Sequence, residues 1–199
     1  SKLDLSFDLL NLVSETQLDQ YLHACSLLEL LLQHNEMHRI PVPIIVHALQ
    51  IGNTLQILDL SHNNFEKLDS EQEAAFSHFV DLKVLSLSHN RLRSVNFENL
   101  IKSSCATLER IDLSGNKLEG IVCPLRNQSF HTLPSLKQLL LSDNLLDTGD
   151  QINKLFQQVQ MPALEVLALS HNKLTDSICM GTWFVNCCCK LKQLLLQEN

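Results

Sequence analysis

Leucine recurs along this chain in a fixed figure. Leu58 and Leu60 alternate with Ile57 and Asp59, Leu85 and Leu87 with Val84 and Ser86, and Leu167 and Leu169 with Val166 and Ala168. Apolar side chains two residues apart bury one face of an extended strand, so each pair predicts a short strand. Each pair also has a leucine three residues upstream and an Asn three residues downstream, as in Leu55…Leu58-Asp-Leu60-Ser-His-Asn63 and Leu82…Leu85-Ser-Leu87-Ser-His-Asn90. Further copies run Leu108…Asn116, Leu136…Asn144 and Leu164…Asn172. A weaker one runs Leu27…Asn35, a beheaded one holds Leu3, Leu5 and Asp8, and the last begins at Leu191 and stops at Asn199. The Asn-equivalent positions 8, 35, 63, 90, 116, 144, 172 and 199 are spaced by 27, 28, 27, 26, 28, 28 and 27 residues. One copy cannot bury its own leucines, whereas stacked copies can, so the pattern predicts a single solenoid over residues 1–199.

Between the strands the apolar spacing turns helical. Ala74-Ala75-Phe76…Phe79, Leu100-Ile101…Cys105 and Ile152…Leu155-Phe156…Val159 each form one stripe. Ser70 followed by Glu73 predicts a capping box at the start of the first of these. Ile40-Pro41-Val42-Pro43 predicts an extended entry to its segment, and the stretch from Gly120 to Pro134 reads as loop. The Asn of each copy falls where its side-chain amide can satisfy turn backbone in the neighbouring coil, which predicts a buried Asn ladder.

These residues resemble the leucine-rich repeat family, whose pattern is L-x-x-L-x-L-x-x-N-x-L, and the resemblance covers essentially the whole chain. It implies an α/β horseshoe solenoid with a parallel β-sheet on the concave face and helices and loops on the convex face. It also implies a protein-binding role. Repeats of 26–28 residues with helices are more similar to the intracellular, ribonuclease-inhibitor-like branch than to the extracellular branch. Leu146-Asp147…Gly149…Ile152…Leu155 comes nearest to that branch's pattern. The composition is also similar to leucine-rich-repeat effectors that intracellular bacteria deliver into host cells.

Composition narrows the chemistry. There are 42 leucines among 199 residues but only 5 glycines, too few for phosphate-cradling loops. The net charge of −7 offers no basic footprint for nucleic acid. No uninterrupted apolar run reaches the length of a membrane span, so no membrane insertion is expected. Seven cysteines, an odd number that includes the consecutive Cys187, Cys188 and Cys189, suit reduced thiols and a cytoplasmic location, with secretion into a host cell as the alternative. Cys105, Cys123, Cys179 and Cys188 occupy repeat-equivalent positions that favour small buried side chains. Neither end carries a recognisable cap, which leads us to expect further repeats or an end contact beyond Asn199.

Candidate chemistry is sparse. His34, His62 and His89 fall in consecutive repeats, with His171 further on. Stacked about 5 Å apart they could form a pH-sensitive stripe, although no Cys or carboxylate ligand is expected beside them. Nucleophile-elbow, phosphate-loop and zinc-protease motifs are missing from the sequence, and Asp59 and Asp112 lie about 10 Å apart with no acid partner. No catalytic residue, cofactor or metal is therefore expected. What remains is the outward face of the strands at repeat positions 3 and 5. It carries Leu31, Ile57, Asp59, Val84, Ser86, Arg110, Asp112, Leu140, Val166 and Leu195. An apolar surface set among charges is an interaction signature, so these residues are the expected contacts for a protein partner. The alternative is a regulatory or targeting domain of a larger protein whose activity lies outside these residues.

Overall fold

The computed structural model describes residues 1–24, 26–122, 131–147, 149–175 and 189–199. Each leucine pair forms a three-residue strand. In chain order these are β1 (Lys2–Asp4), β2 (Glu29–Leu31), β3 (Ile57–Asp59), β4 (Val84–Ser86), β6 (Arg110–Asp112), β9 (Gln138–Leu140), β11 (Val166–Ala168) and β12 (Gln193–Leu195). They pair in that order as one parallel eight-stranded sheet. The register is unbroken: Lys2, Glu29, Ile57, Val84, Arg110, Gln138, Val166 and Gln193 form one row across it. A one-residue slip would turn every leucine to the other face, and the leucine pairs forbid it. Four short strands make two further parallel pairs, β5 (Ser94–Asn96) with β7 (Gly120–Val122) and β8 (His131–Thr132) with β10 (Val159–Gln160).

The return segments carry α1 (Glu15–Ala24), α2 (Val42–Ile51), α3 (Ser70–Phe76), α4 (Phe97–Ile101) and α5 (Gly149–Gln158). Among the first four, each helix packs on the next. The leucines of the strands and the apolar stripes of the helices meet in one continuous core, in which Phe65, Phe76, Phe79, Phe97 and Phe156 are among the largest fully buried side chains. Central strand leucines are sealed: Leu58 and Leu85 are at most 1% exposed. Leu3 and Leu194, in the outermost strands, are only partly buried because a neighbouring coil covers them on one side.

Three local expectations are corrected. The α3 cap is Asp69, whose Oδ1 accepts from Glu71 N at 3.1 Å and Gln72 N at 2.9 Å, while Gln72 Nε2 returns to Asp69 Oδ2 at 3.0 Å. The reciprocal cap therefore uses Asp69 and Gln72, one residue ahead of the Ser70 and Glu73 pair, because the chain is still extended at Asp69 (φ −79°, ψ 171°) and is already helical at Ser70. The Pro41-Val42-Pro43 run is extended only at Pro41. Val42 already opens α2, since prolines in a first helical turn sacrifice only N–H groups that have no partner there. Within the supposed loop from Gly120 to Pro134, Gly120–Val122 and His131–Thr132 are strands that pair with the neighbouring coils. Residues 123–130 of that stretch lie outside the described residues.

Asparagines tie consecutive coils together. Asn63 Nδ2 donates to Leu32 O (2.9 Å) in the coil before and to Leu60 O (3.1 Å) in its own, while its Oδ1 accepts from Asn35 N and Met37 N, both at 3.0 Å. Asn90, Asn116, Asn144, Asn172 and Asn199 repeat the two-coil donation. In the first coil the position holds Asp8, whose ionised carboxylate has no hydrogen to donate.

Candidate functional site

The alternation that buries the leucines turns repeat positions 3 and 5 out of the core, onto the open face of the sheet. Position 3 places Ile57 beside Val84 and Val84 beside Arg110; position 5 places Leu31 beside Asp59, Asp59 beside Ser86, and Ser86 beside Asp112. Further along, Leu140 lies next to Ala168 and Ala168 next to Leu195, with Val166 in the row above. The ten residues expected on this face therefore share it, in the expected order. Their exposure is lower than expected. Leu31, Ile57, Val84, Leu140, Val166 and Leu195 are half-buried, because side chains in adjacent strands shield one another's flanks. Asp112 is the extreme, at 7% exposed.

Asp112 is buried and fully engaged. Arg110 donates to its Oδ2 at 2.9 Å, and Ser114 supplies its backbone N–H at 3.1 Å and its hydroxyl at 2.5 Å to Oδ1. The first strand repeats this arrangement: Lys2 lies 3.4 Å from Asp4, whose carboxylate accepts from Ser6 Oγ at 2.6 Å. The Ser6 hydroxyl and backbone N–H hold the Asp4 carboxyl below its usual range, with Lys2 helping. Among the described residues Asp59 accepts only from Ser61 N, at 2.9 Å. The Arg110–Asp112 pair divides the face into an apolar sector around Leu31, Ile57 and Val84 and another around Leu140, Val166 and Leu195.

Two rows flank this face. At position 2 the charges alternate from coil to coil as Lys83, Glu109, Lys137, Glu165 and Lys192. Lys137 lies 2.7 Å from Glu109, and Lys192 lies 3.1 Å from Glu165. The Lys137 hydrogen bond and charge lower the Glu109 carboxyl, the Lys83 charge adds to this, and Glu109 raises the Lys137 ammonium in return. The sequence already carried the signal, since each successive coil from Lys83 to Lys192 reverses the sign at this position.

The other row stands at position 8, where the chain leaves the sheet. Phe7, His34, His62, His89, Gly115, Asp143, His171 and Glu198 all take left-handed backbone there, with φ between 52° and 66°. From Phe7 to His171 their N–H groups donate to the next coil, for example His62 N to Ser88 O and His89 N to Ser114 O. That shared turn lines up the side chains. Phe7, His34, His62 and His89 stack with ring centroids 4.7, 4.2 and 4.3 Å apart and interplanar angles of 9°, 11° and 13°. The stack ends at Gly115. Further along, His171 Nδ1 lies 3.1 Å from Glu198. Burial lowers the His62 pKa, the neighbouring His89 and His34 lower it further, and Asp59 opposes them. Parallel rings aim their nitrogens along parallel lines, and among the described residues no group of three His, Cys, Asp or Glu side chains is arranged to hold a metal ion.

Cys105 is half-buried against the core and Cys189 is exposed; both are free thiols. Cys25, Cys123, Cys179, Cys187 and Cys188 lie outside the described residues. Among the described residues no helix is long and apolar enough to cross a membrane.

Comparison with known proteins agrees with this geometry. Residues 53–118 match the leucine-rich repeat family model. The chain is similar to human lumican, at 33% identity over 67% of this chain and 35% of that protein, and to bovine osteomodulin, at 28% over 76% and 31%. It is also similar to human Toll-like receptor 8, at 34% over 65% of this chain and 12% of that protein. A solved leucine-rich repeat protein of Leptospira interrogans aligns with a TM-score of 0.45 at 23% identity, covering 91% of this chain and 51% of that one. The chain spans about a third of the length of the lumican and osteomodulin it matches. With the family model matched over residues 53–118 and eight strands in one parallel register, the chain is a leucine-rich repeat solenoid.

Proposed function

We propose that this chain is a non-enzymatic protein-binding module that meets its partner with the open, concave face of the sheet. The observation that carries this reading is the pair of apolar sectors, Leu31, Ile57 and Val84 in one and Leu140, Val166 and Leu195 in the other, on a face that the core does not need. Half-buried aliphatic side chains gain by losing their remaining contact with water, and the paired charges between the sectors give polar relief. Eight strands at about 4.8 Å give a width of roughly 35 Å, enough for a partner of standard size. A face dominated by aliphatic and acidic groups suits protein and not nucleic acid.

The test is affinity capture with the wild type and with the double variant Ile57→Asp plus Val84→Asp. Proteins retained by the wild type and lost with the variant are the expected result. Equal recovery would move the binding surface elsewhere. A second reading, a regulatory or targeting domain of a longer protein such as a secreted effector or an immune-type sensor, is favoured by the chain's covering only about a third of the relatives it matches. Repeat length supports a ribonuclease-inhibitor-like subclass. The odd cysteine count supports a reducing, cytoplasmic setting, for which thiol titration of the denatured protein should find all seven free.

A further inference from the structure

Charge is unevenly spread over the open face. Positions 3 and 5 of the first five strands of the sheet hold Lys2, Asp4, Glu29, Asp59, Arg110 and Asp112, whereas β9, β11 and β12 hold no charged side chain there. The two cations are already engaged, Lys2 with Asp4 at 3.4 Å and Arg110 with Asp112 at 2.9 Å. In the alternating row at position 2, Glu109–Lys137 and Glu165–Lys192 are paired, and Lys83, the fifth member, adds its charge to Glu109. Glu29 and Asp59 are left over. Among the described residues neither carboxylate has a Lys or Arg partner.

These two acids occupy opposite corners of a square formed by β2 and β3, roughly 7–8 Å apart on the diagonal. Leu31 and Ile57 occupy the other two corners, and Val84 extends the apolar edge. All five side chains are half-buried. An apolar or acidic partner laid over this square would strip water from two carboxylates and leave them unpaired, which opposes binding. A partner that brings its own cations meets both carboxylates and the aliphatic ground between them.

We propose that this half of the face docks a basic, aliphatic segment of a partner protein, with two Lys or Arg side chains meeting Glu29 and Asp59 and an aliphatic side chain seated among Leu31, Ile57 and Val84. The proposal rests on the open face being the binding surface and adds the chemistry of the partner. Cations on alternate residues of an extended segment stand about 6.6 Å apart, close to the diagonal they must span. Arg110–Asp112 closes the site on one side, and the uncharged sector beyond it contributes no cation preference.

The test uses two acetylated 12-residue probe peptides, alternating Lys/Leu and alternating Glu/Leu, in a binding titration at 0.15 M salt. The wild type should bind the Lys/Leu probe and ignore the Glu/Leu probe. Glu29→Gln plus Asp59→Asn, near-isosteric changes on a partly exposed face, should weaken Lys/Leu binding at least tenfold. Glu66→Gln plus Glu119→Gln removes the same charge from exposed residues outside the strands and should change binding less than twofold. Equal losses in the two variants would show bulk attraction to an acidic protein, and no loss in the first would show that the carboxylates are not contacts; either overturns the proposal. Ile57→Ser plus Val84→Ser separates this from the broader reading. If those serines abolish partner capture while neutralising Glu29 and Asp59 does not, only the basic chemistry falls. If neither pair of changes affects capture, the open-face reading falls with it.

Discussion

The imidazole of His89 lies so close over Gly115 that a β-carbon on the glycine would stand 2.5 Å from Nδ1. Two constraints therefore meet at Gly115. Its φ of +66° is one that side chains tolerate poorly, yet equivalent positions carry His, Asp, Glu and Phe at similar angles, so backbone alone does not demand glycine. The His89 ring does. Gly115→Ala should destabilise by about 1–3 kcal/mol through that contact, and His89→Ala by less. The double variant should recover most of the glycine's loss, giving a coupling energy that denaturant unfolding of the four proteins would measure. Strict additivity would mean that the ring moves aside at no cost.

Ladder asparagines should differ by position. Asn90→Ala leaves Leu60 O, Leu87 O and Phe65 N without their side-chain partner in a site that is 7% exposed. That should cost about 1–3 kcal/mol, a fall in melting temperature of roughly 3–10 °C for a chain of this size. Asn199 makes the same bonds, but its side chain is exposed to water that can replace them. Asn199→Ala should lower the melting temperature much less. Equal shifts would contradict the role of burial.

Much of this fold is legible in the leucine spacing, because a period of two beside a fixed Asn admits one register. The eight strands and the members of the open face follow from it. What could not be read were features decided by neighbouring coils. The half-burial of Ile57 and Val84 depends on flanking side chains 27 residues away in sequence. Asp69 displaced Ser70 as the α3 cap because two adjacent residues could both cap and only the backbone path chooses between them. The position-8 stack was legible as a column of histidines but not as left-handed backbone, since that conformation is uncommon for any residue but glycine and the position also holds Phe7 and Glu198, which do not favour it.

The histidine stack makes stability depend on pH. Burial and the neighbouring imidazoles put the folded-state pKa of His62 below the ordinary value of 6.5. Between those two values the unfolded chain holds more protons than the folded one, so stability rises with pH there. The contribution is intact above pH 6.5 and is lost as pH falls through that value towards the folded pKa. His62 is largely exposed, so the effect should be small. His62→Asn, which keeps a side chain tolerant of left-handed backbone, should flatten the melting-temperature profile between pH 7 and pH 5. An unchanged slope would place the titration elsewhere.

The alternating row at position 2 should help to hold the coils in sequence. Lys137 stands between Glu109 and Glu165, so Lys137→Glu would set three carboxylates side by side. The variant should melt lower than wild type, and because these groups are exposed the gap should narrow as salt rises to 1 M. A gap that does not respond to salt would show that the row contributes nothing electrostatic.

The open face and the core face of one strand pair should respond oppositely to the same chemistry. Ile57 and Val84 are half-buried on the open face, where aspartates can keep their water. Ile57→Asp plus Val84→Asp should therefore cost about 1 kcal/mol per site or less, most of it repulsion from Glu29 and Asp59 nearby. Leu85, the next residue after Val84, is fully enclosed, and Leu85→Asp buries a carboxylate with no partner in the middle of the sheet. That change should cost several kcal/mol and abolish cooperative unfolding at room temperature. Circular dichroism melting distinguishes the two outcomes directly. A double aspartate variant that unfolds like Leu85→Asp would mean that Ile57 and Val84 belong to the core, and loss of partner binding in it could then no longer be read as loss of a contact surface.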